Sequence, residues 1–241
     1  MAGTMPNMMP VMVALWSALL ASALVLLVFA GARALSGRLG HPPWASPVLT
    51  GAIATALLLA ATGIPLAWFS AATQPLRWLL GPALVALALV VEANAGLLRR
   101  SALPVLVAVT GGTLVGLASA IVMARWLGLG PDLAAAVSTK TVSTPFSVAI
   151  MMKVGGPVEL AAAMSVTTGV VGALTVMPLL RRLGFRGAGP ALALGVAAHI
   201  VGTDWLTRRD ARAGGLAALA FVIAGVILGL LVPAIWPWLA A

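Results

Sequence analysis

The chain has no cysteine, only five acidic residues against fourteen lysines and arginines, and charge at just 8% of its 241 positions. Without cysteine there is no disulfide, no thiolate nucleophile and no thiolate-ligated zinc or iron–sulfur centre. So few charges cannot clothe a water-soluble domain, in which about 25% of residues are charged. Catalytic signatures are missing too: no HExxH, GxSxG, Walker loop or EF-hand loop occurs. Ser143 with His199 imitates a hydrolase dyad, but nothing in the sequence supplies an oxyanion hole. No enzyme, metal or cofactor is therefore expected.

What the chain does have is apolar residues, 62% of the total. At roughly 20 residues per crossing, that material makes about seven membrane spans. The net charge of +9 does not point to nucleic acid, because it is not gathered on one polar face. It sits in short runs, at Arg33 and Arg38, Arg99 and Arg100, Arg181, Arg182 and Arg186, and Arg208, Arg209 and Arg212, each flanking a long uncharged segment. Cytoplasmic loops of membrane proteins look like this. Residues 11–32 read as a retained helix rather than a signal peptide, since no basic residue precedes them and the basic residues follow.

Residues 11–32, 48–64, 78–91, 102–124, 160–180 and 215–233 are the strong apolar runs. Three weaker ones, 132–143, 146–154 and 190–203, are too short to cross as helices and end at Pro145, at Gly155 with Gly156, and at Gly202. Interrupted helices at membrane depth are tolerated only where protein or a watery cavity meets their freed backbone groups. An internal repeat involves two of them. GPDLAAAVSTKTVST at 130–144 and GPALALGVAAHIVGT at 189–203 agree at seven of fifteen positions, against about one or two by chance. Upstream, Val109, Thr110, Gly112, Leu117 and Arg125 recur as Val166, Thr167, Gly169, Leu174 and Arg182. Three crossings per unit would invert the second copy, and inverted repeats with interrupted helices point to a secondary transporter's binding site.

The expected fold is therefore an all-helical, polytopic membrane bundle of about eight or nine segments, with two inverted-type repeats and broken helices near the midplane. Residues 1–74 form two N-terminal spans with their loops. Residues 75–241 form the main membrane domain, with repeat units at about 82–144 and 145–203 and a C-terminal helix at 213–236. One tension remains: inversion by three crossings sends the Arg208 loop outward, against the positive-inside rule.

The densest polar stretch outside the loops is Ser138, Thr139, Lys140, Thr141, Val142, Ser143, Thr144, Pro145. A lysine among apolar helices costs about 2.5–3.5 kcal/mol on insertion scales and faces a partner or a cavity. Ser143 or Thr144 can cap a helix that starts at Pro145, leaving N–H groups and a positive dipole end for an anion. Hydroxyls, an ammonium and a helix N-terminus together suit a small carboxylate. The alternative is that Lys140 snorkels to an interface and the hydroxyls only cap helices. His199 stands at the repeat position of Lys140, followed by Gly202 and Thr203. It either binds or relays protons opposite Lys140, or packs as a core histidine. Asp204 reads as a partner of Arg208 or Arg209. Gly112 with Gly116, and Gly225 with Gly229, make small-residue faces for close helix packing.

Several of these residues together resemble a known family. Leu80-Gly81-Pro82-Ala83, the run Thr139 to Pro145, Thr168-Gly169 with Gly172-Ala173, and Ala193-Leu194-Gly195 leading through Ala198-His199 to Gly202-Thr203 look like the LrgB family of CidB/LrgB antiholin-like membrane proteins. That family is similar to the membrane portion of the plant plastidic glycolate/glycerate translocator. The resemblance implies a multi-pass protein of the bacterial inner membrane. It implies either transport of small carboxylates such as glycolate, glycerate or pyruvate, or modulation of murein hydrolase activity with a small LrgA/CidA-type partner. A homo-oligomer is compatible with both. Carried over residue by residue, it points to Thr139, Lys140, Thr141, Ser143, Thr144 and Pro145, and to His199, Gly202 and Thr203. The chain departs from the family at Ala149 and Met152, where acidic residues are usual, and at Asp204 and Trp205. Those departures put proton or cation coupling in question.

Overall fold

The computed structural model describes residues 9–239, which contain helices and turns and no strand. The chain divides into two compact units, one holding the chain up to His41 with Ala45–Pro82, the other holding Pro42–Trp44 and Ala83–Ala241. Among the described residues, five helices are long and apolar enough to cross a membrane. Their large side chains are not all folded inward: Leu19, Leu27, Leu103, Val115 and Leu230 are each more than half exposed. Lipid covers such a surface without penalty, whereas water does not.

The first unit is built on α1 (Met9–Arg38) and α2 (Pro47–Thr62). Gly51 of α2 faces Ala32 and Phe29 of α1, so the missing side chain lets the two backbones approach. α2 ends at Gly63 in the left-handed conformation (φ 68°), just before Pro65. Two short helices follow, α3 (Leu66–Ala72) and α4 (Gln74–Trp78), and Phe69 and Ala72 of α3 pack with Ala21 of α1.

The second unit contains most of α5 (Leu80–Ala93), then α6 (Ala95–Arg100), α7 (Ala102–Trp126), α8 (Pro131–Ser138), α9 (Thr144–Val154), α10 (Val158–Arg182), α11 (Ala188–Thr207) and α12 (Ala211–Leu239). Its chain directions follow from contacts. α7 and α12 run parallel, because Val105 and Val109 cluster with Ala220 and Ala224 while Arg125 Nη2 donates to the Trp238 carbonyl at 3.2 Å. α9 runs with α12 as well: Phe146 abuts Gly225, Met151 clusters with Leu228 and Val232, and Gly156 meets Trp236. α8 runs the other way, from the end of α7 through Gly128 (φ 62°) down to Thr141, which rests on Gly116. Residues 131–154 thus enter and leave at one end. At 1.5 Å per residue, arms of eight and eleven residues reach only about 12 and 16 Å into a hydrocarbon layer about 30 Å thick.

The second interrupted segment is also a hairpin, entering from the opposite end. The first half of α11 climbs along α12, with Gly195 against Ala217 and Ala220. At His199 the backbone leaves helical geometry (φ 34°, ψ −126°) and reverses. A side chain at Gly202 would meet Ala198 Cβ at 2.6 Å and Leu194 Cγ at 2.9 Å, although in a straight helix positions 194 and 202 lie about 12 Å apart. Thr207 comes back to Gly214 near the start of α12.

α7 and α10 are antiparallel, since Ala161 clusters with Val232 at one end and Ala173 with Ala191 and Leu206 at the other. Each geometric repeat, 102–154 and 158–207, is therefore one crossing followed by one re-entrant hairpin. This replaces the expectation of three crossings per unit and keeps the inversion, because one is also odd. It also removes the tension over Arg208. With hairpin 2 re-entrant, Arg99, Arg100, Arg181, Arg182, Arg186, Arg208, Arg209 and Arg212 all gather at the end where α7 starts and α10 stops. The opposite end balances Arg125 and Lys153 against Asp132 and Glu159. The positive-inside rule assigns the arginine-rich end to the cytoplasm.

Candidate functional site

The two hairpin tips meet the same pair of crossing helices. On α10, the Ser165 hydroxyl donates to the Val142 carbonyl of tip 1 at 2.6 Å, and Gly169 lies against the His199 ring of tip 2. On α7, Gly116 touches Thr141 of tip 1, and Gly112 touches Val196 just before tip 2. Each pair is separated by four residues, about 6 Å along the helix. The tips therefore sit roughly one helical turn apart, between α7 and α10. Gly169 is required here: a Cβ would collide with His199.

Tip 1 is the unwound run 139–143. Thr139 donates to the Ala136 carbonyl at 3.2 Å and shares a 2.8 Å hydrogen bond with Ser147 Oγ, which ties the two arms together. Its hydroxyl is thus occupied within the hairpin. Lys140 is half-buried and makes no ion pair among the described residues. Thr141 and Ser143 are buried and their hydroxyls have no hydrogen-bond partner. Ser143 occupies the N-cap position of α9 with extended backbone (φ −65°, ψ 153°), yet its side chain caps no N–H; Pro145 follows in the first turn. Thr144 Oγ1 reaches Ser165 Oγ at 3.5 Å.

Tip 2 is His199, 1% exposed, its ring beside the Ser165 backbone and Gly169 with neither nitrogen in a well-formed hydrogen bond. Thr203, one turn on, is buried with an orphaned hydroxyl. Gly202 has a packing task, closing the hairpin against Ala198 and Leu194. Asp204 pairs with Arg208 at 3.0 Å at the exposed base, away from the tip.

Buried polar atoms are nearly always hydrogen-bonded, so a cluster of orphans is unusual. Here Thr141, Ser143, His199 and Thr203 are joined by Thr113 of α7, one turn from Gly116. Dipole ends converge as well, because each hairpin ends one arm and begins another at its tip. The arrangement gathers buried, unpartnered hydroxyls and an imidazole between α7 and α10, with Lys140 half-buried on tip 1. Thr113, Ser147, Ser165 and Gly169 are the residues sequence reasoning did not single out as site residues. The available signal was Ser165 and Gly169 at i and i+4, a small-residue stripe inside a full crossing.

A helical membrane bundle with two hairpins entering from opposite ends defines the class. The chain belongs to the LrgB-like family, whose profile matches residues 25–238. It is a bacterial membrane protein of the LrgB/CidB type. An uncharacterized protein of Haemophilus influenzae is 27% identical over 79% of this chain and 84% of its own length. The uncharacterized protein YxaC of Bacillus subtilis is 25% identical over 77% of this chain and 81% of its own. The holin-like protein CidB of Staphylococcus epidermidis is 20% identical over 79% of this chain and 84% of its own. No solved structure matches.

Proposed function

We propose that the protein is a carrier of small organic anions of the monocarboxylate kind, with its binding site between the two hairpin tips. The observation that supports this most is the opposed pair of hairpins, whose tips bring orphaned polar groups against one turn of α10. Thr141, Ser143, His199 and Thr203 are all under 10% exposed, so a guest reaches them only when a hairpin moves. Hairpin 1 opens toward one side of the membrane and hairpin 2 toward the other, which is what alternating access requires. Lys140 supplies the counter-charge, and Thr141, Ser143 and Thr203 the hydrogen bonds. His199 offers a donor or acceptor according to tautomer. Saturable, stereoselective flux of glycolate, glycerate or pyruvate into proteoliposomes is the expected result; no flux for any small monocarboxylate counts against the carrier.

A second reading has a specific observation behind it, the holin-like name of the CidB relatives. In that reading the chain modulates murein hydrolase activity, together with a small holin-like membrane protein. Expression that alters autolysis without organic-acid flux favours it.

A further inference from the structure

A cleft of about 310 Å³ opens at the arginine-rich end, between the C-terminus of α10 and the base of hairpin 2. Arg181 and Arg209 line it together with Gly187, Pro190, Trp205 and Asp210. Arg209 is held in place: its guanidinium lies 4.2 Å from the Trp205 ring centre and its Nη1 donates to the Trp205 carbonyl at 3.0 Å. A stacked guanidinium still has N–H groups in its plane for an oxyanion.

The two acids nearest the cleft, Asp210 on its wall and Asp204 beside it, both have partners. Asp210 Oδ1 accepts from the N–H groups of Arg212 and Ala213, both at 3.0 Å, capping α12. Asp204 is taken by Arg208. Arg181 and Arg209 therefore face the cleft without a carboxylate partner among the described residues. The chain enters α11 at Gly187 (φ 78°, ψ −144°), and no side chain caps that helix N-terminus, so its N–H groups add to the positive field. Met177 and Leu206 give the same cleft an apolar wall.

We propose that this cleft binds the phosphate of an anionic phospholipid headgroup. Two guanidinia and a helix N-terminus suit a phosphate anion. The tryptophan and the apolar wall suit an attached acyl chain at the membrane face, and basic pockets between helices on the cytoplasmic side are where such headgroups bind. Free phosphate shares the chemistry without needing the apolar wall. The inference stands whether or not the chain is a carrier.

The test is thermal unfolding of the purified full-length protein in detergent, titrated with phosphatidylglycerol, phosphatidylcholine or inorganic phosphate. Phosphatidylglycerol is expected to raise the melting temperature where phosphatidylcholine does not. The Arg181→Gln/Arg209→Gln variant is expected to need at least tenfold more phosphatidylglycerol, while Arg186→Gln, outside the cleft, behaves as wild type. If the double variant folds poorly, the exposed Arg181→Gln substitution alone gives the same readout. A phosphate effect lost in the same variant supports the site with a free anion as occupant. Equal responses to both lipids, or an equal loss in Arg186→Gln, overturns the proposal.

Discussion

The two hairpins occupy matching places in the repeat but close in different ways. Hairpin 1 unwinds five residues, 139–143, and is tied by a hydroxyl–hydroxyl bond between Thr139 and Ser147. Hairpin 2 turns on one residue, His199, and is closed by small side chains at Ala198 and Gly202. The first solution buries a turn whose N–H groups at Thr139, Lys140 and Val142 bond back within the hairpin and whose Val142 carbonyl accepts from Ser165. The second places a non-glycine residue at φ 34°, a strain of about 1–3 kcal/mol that persists only where the surroundings enforce it. Here the enforcement is visible: Gly169 leaves room for the ring and Gly195 lets the first arm lie on α12. Hairpin 1 carries the ammonium and most of the hydroxyls, hairpin 2 the strained turn and the imidazole.

The largest effect expected is all-or-none and asks whether the hairpins enter from opposite ends. Because the chain has no cysteine, single cysteines report position without background. Leu127→Cys, at the exposed end of α7, should react with an impermeant maleimide from one side of the membrane only. Phe185→Cys and Arg208→Cys, on either side of hairpin 2, should both react from the other side only. Labelling of 185 and 208 from opposite sides means that residues 188–207 cross, and the comparison fails at its root.

Next in size is the loss of charge at tip 1. Lys140→Ala should reduce monocarboxylate flux in proteoliposomes to background, with the protein still eluting as a folded species, while Lys140→Arg keeps part of it. An intact rate in the alanine variant removes Lys140 from the site.

Much of the fold was legible because membrane crossings depend on length and apolarity, which the sequence carries directly. The long runs at 102–124 and 160–180 fall within α7 and α10. Pro145 and Gly155 marked the two ends of α9, and Ser143 does stand at its N-cap, whereas Gly202 ends no helix: α11 breaks at His199 and runs on to Thr207. What could not be read was the reversal at His199. A buried apolar stretch looks the same whether it continues or folds back, and histidine is not a residue that announces positive φ. The conflict over Arg208 came from that one backbone angle, and the misread crossing count from both reversals, at 139–143 and at His199. At the site, Lys140 and the hydroxyls stood out as polar residues in an apolar context. Ser165 did not, because its importance lies in a contact with Val142, 23 positions away.

His199 separates strain from chemistry. Glycine adopts φ 34° without penalty, so His199→Gly should retain thermal stability to within about 1 kcal/mol despite the cavity left by the ring, strain relief offsetting lost packing. Flux should nevertheless fall about tenfold if the ring contacts the guest, the size of one lost hydrogen bond to a neutral donor or acceptor. Full flux with raised stability identifies His199 as a hinge alone.

The smallest effect probes the tie in hairpin 1. Thr139→Ala and Ser147→Ala each remove one partner of a buried 2.8 Å hydrogen bond; the first leaves the Ser147 hydroxyl unsatisfied, a cost of about 1–3 kcal/mol in detergent unfolding, and the second costs less because Thr139 still donates to the Ala136 carbonyl. The double variant leaves no orphan, so it should be no worse than the poorer single variant, and the cycle should return a coupling of about 0.5–1.5 kcal/mol. Maleimide accessibility of Ile200→Cys, at an exposed position beside the tip of the opposing hairpin, should not change in any of the three variants, because that hairpin is closed by packing rather than by this bond. Additive single effects mean that the Thr139–Ser147 bond contributes nothing of its own, and hairpin 1 is then held, like hairpin 2, by packing against α10 and α12.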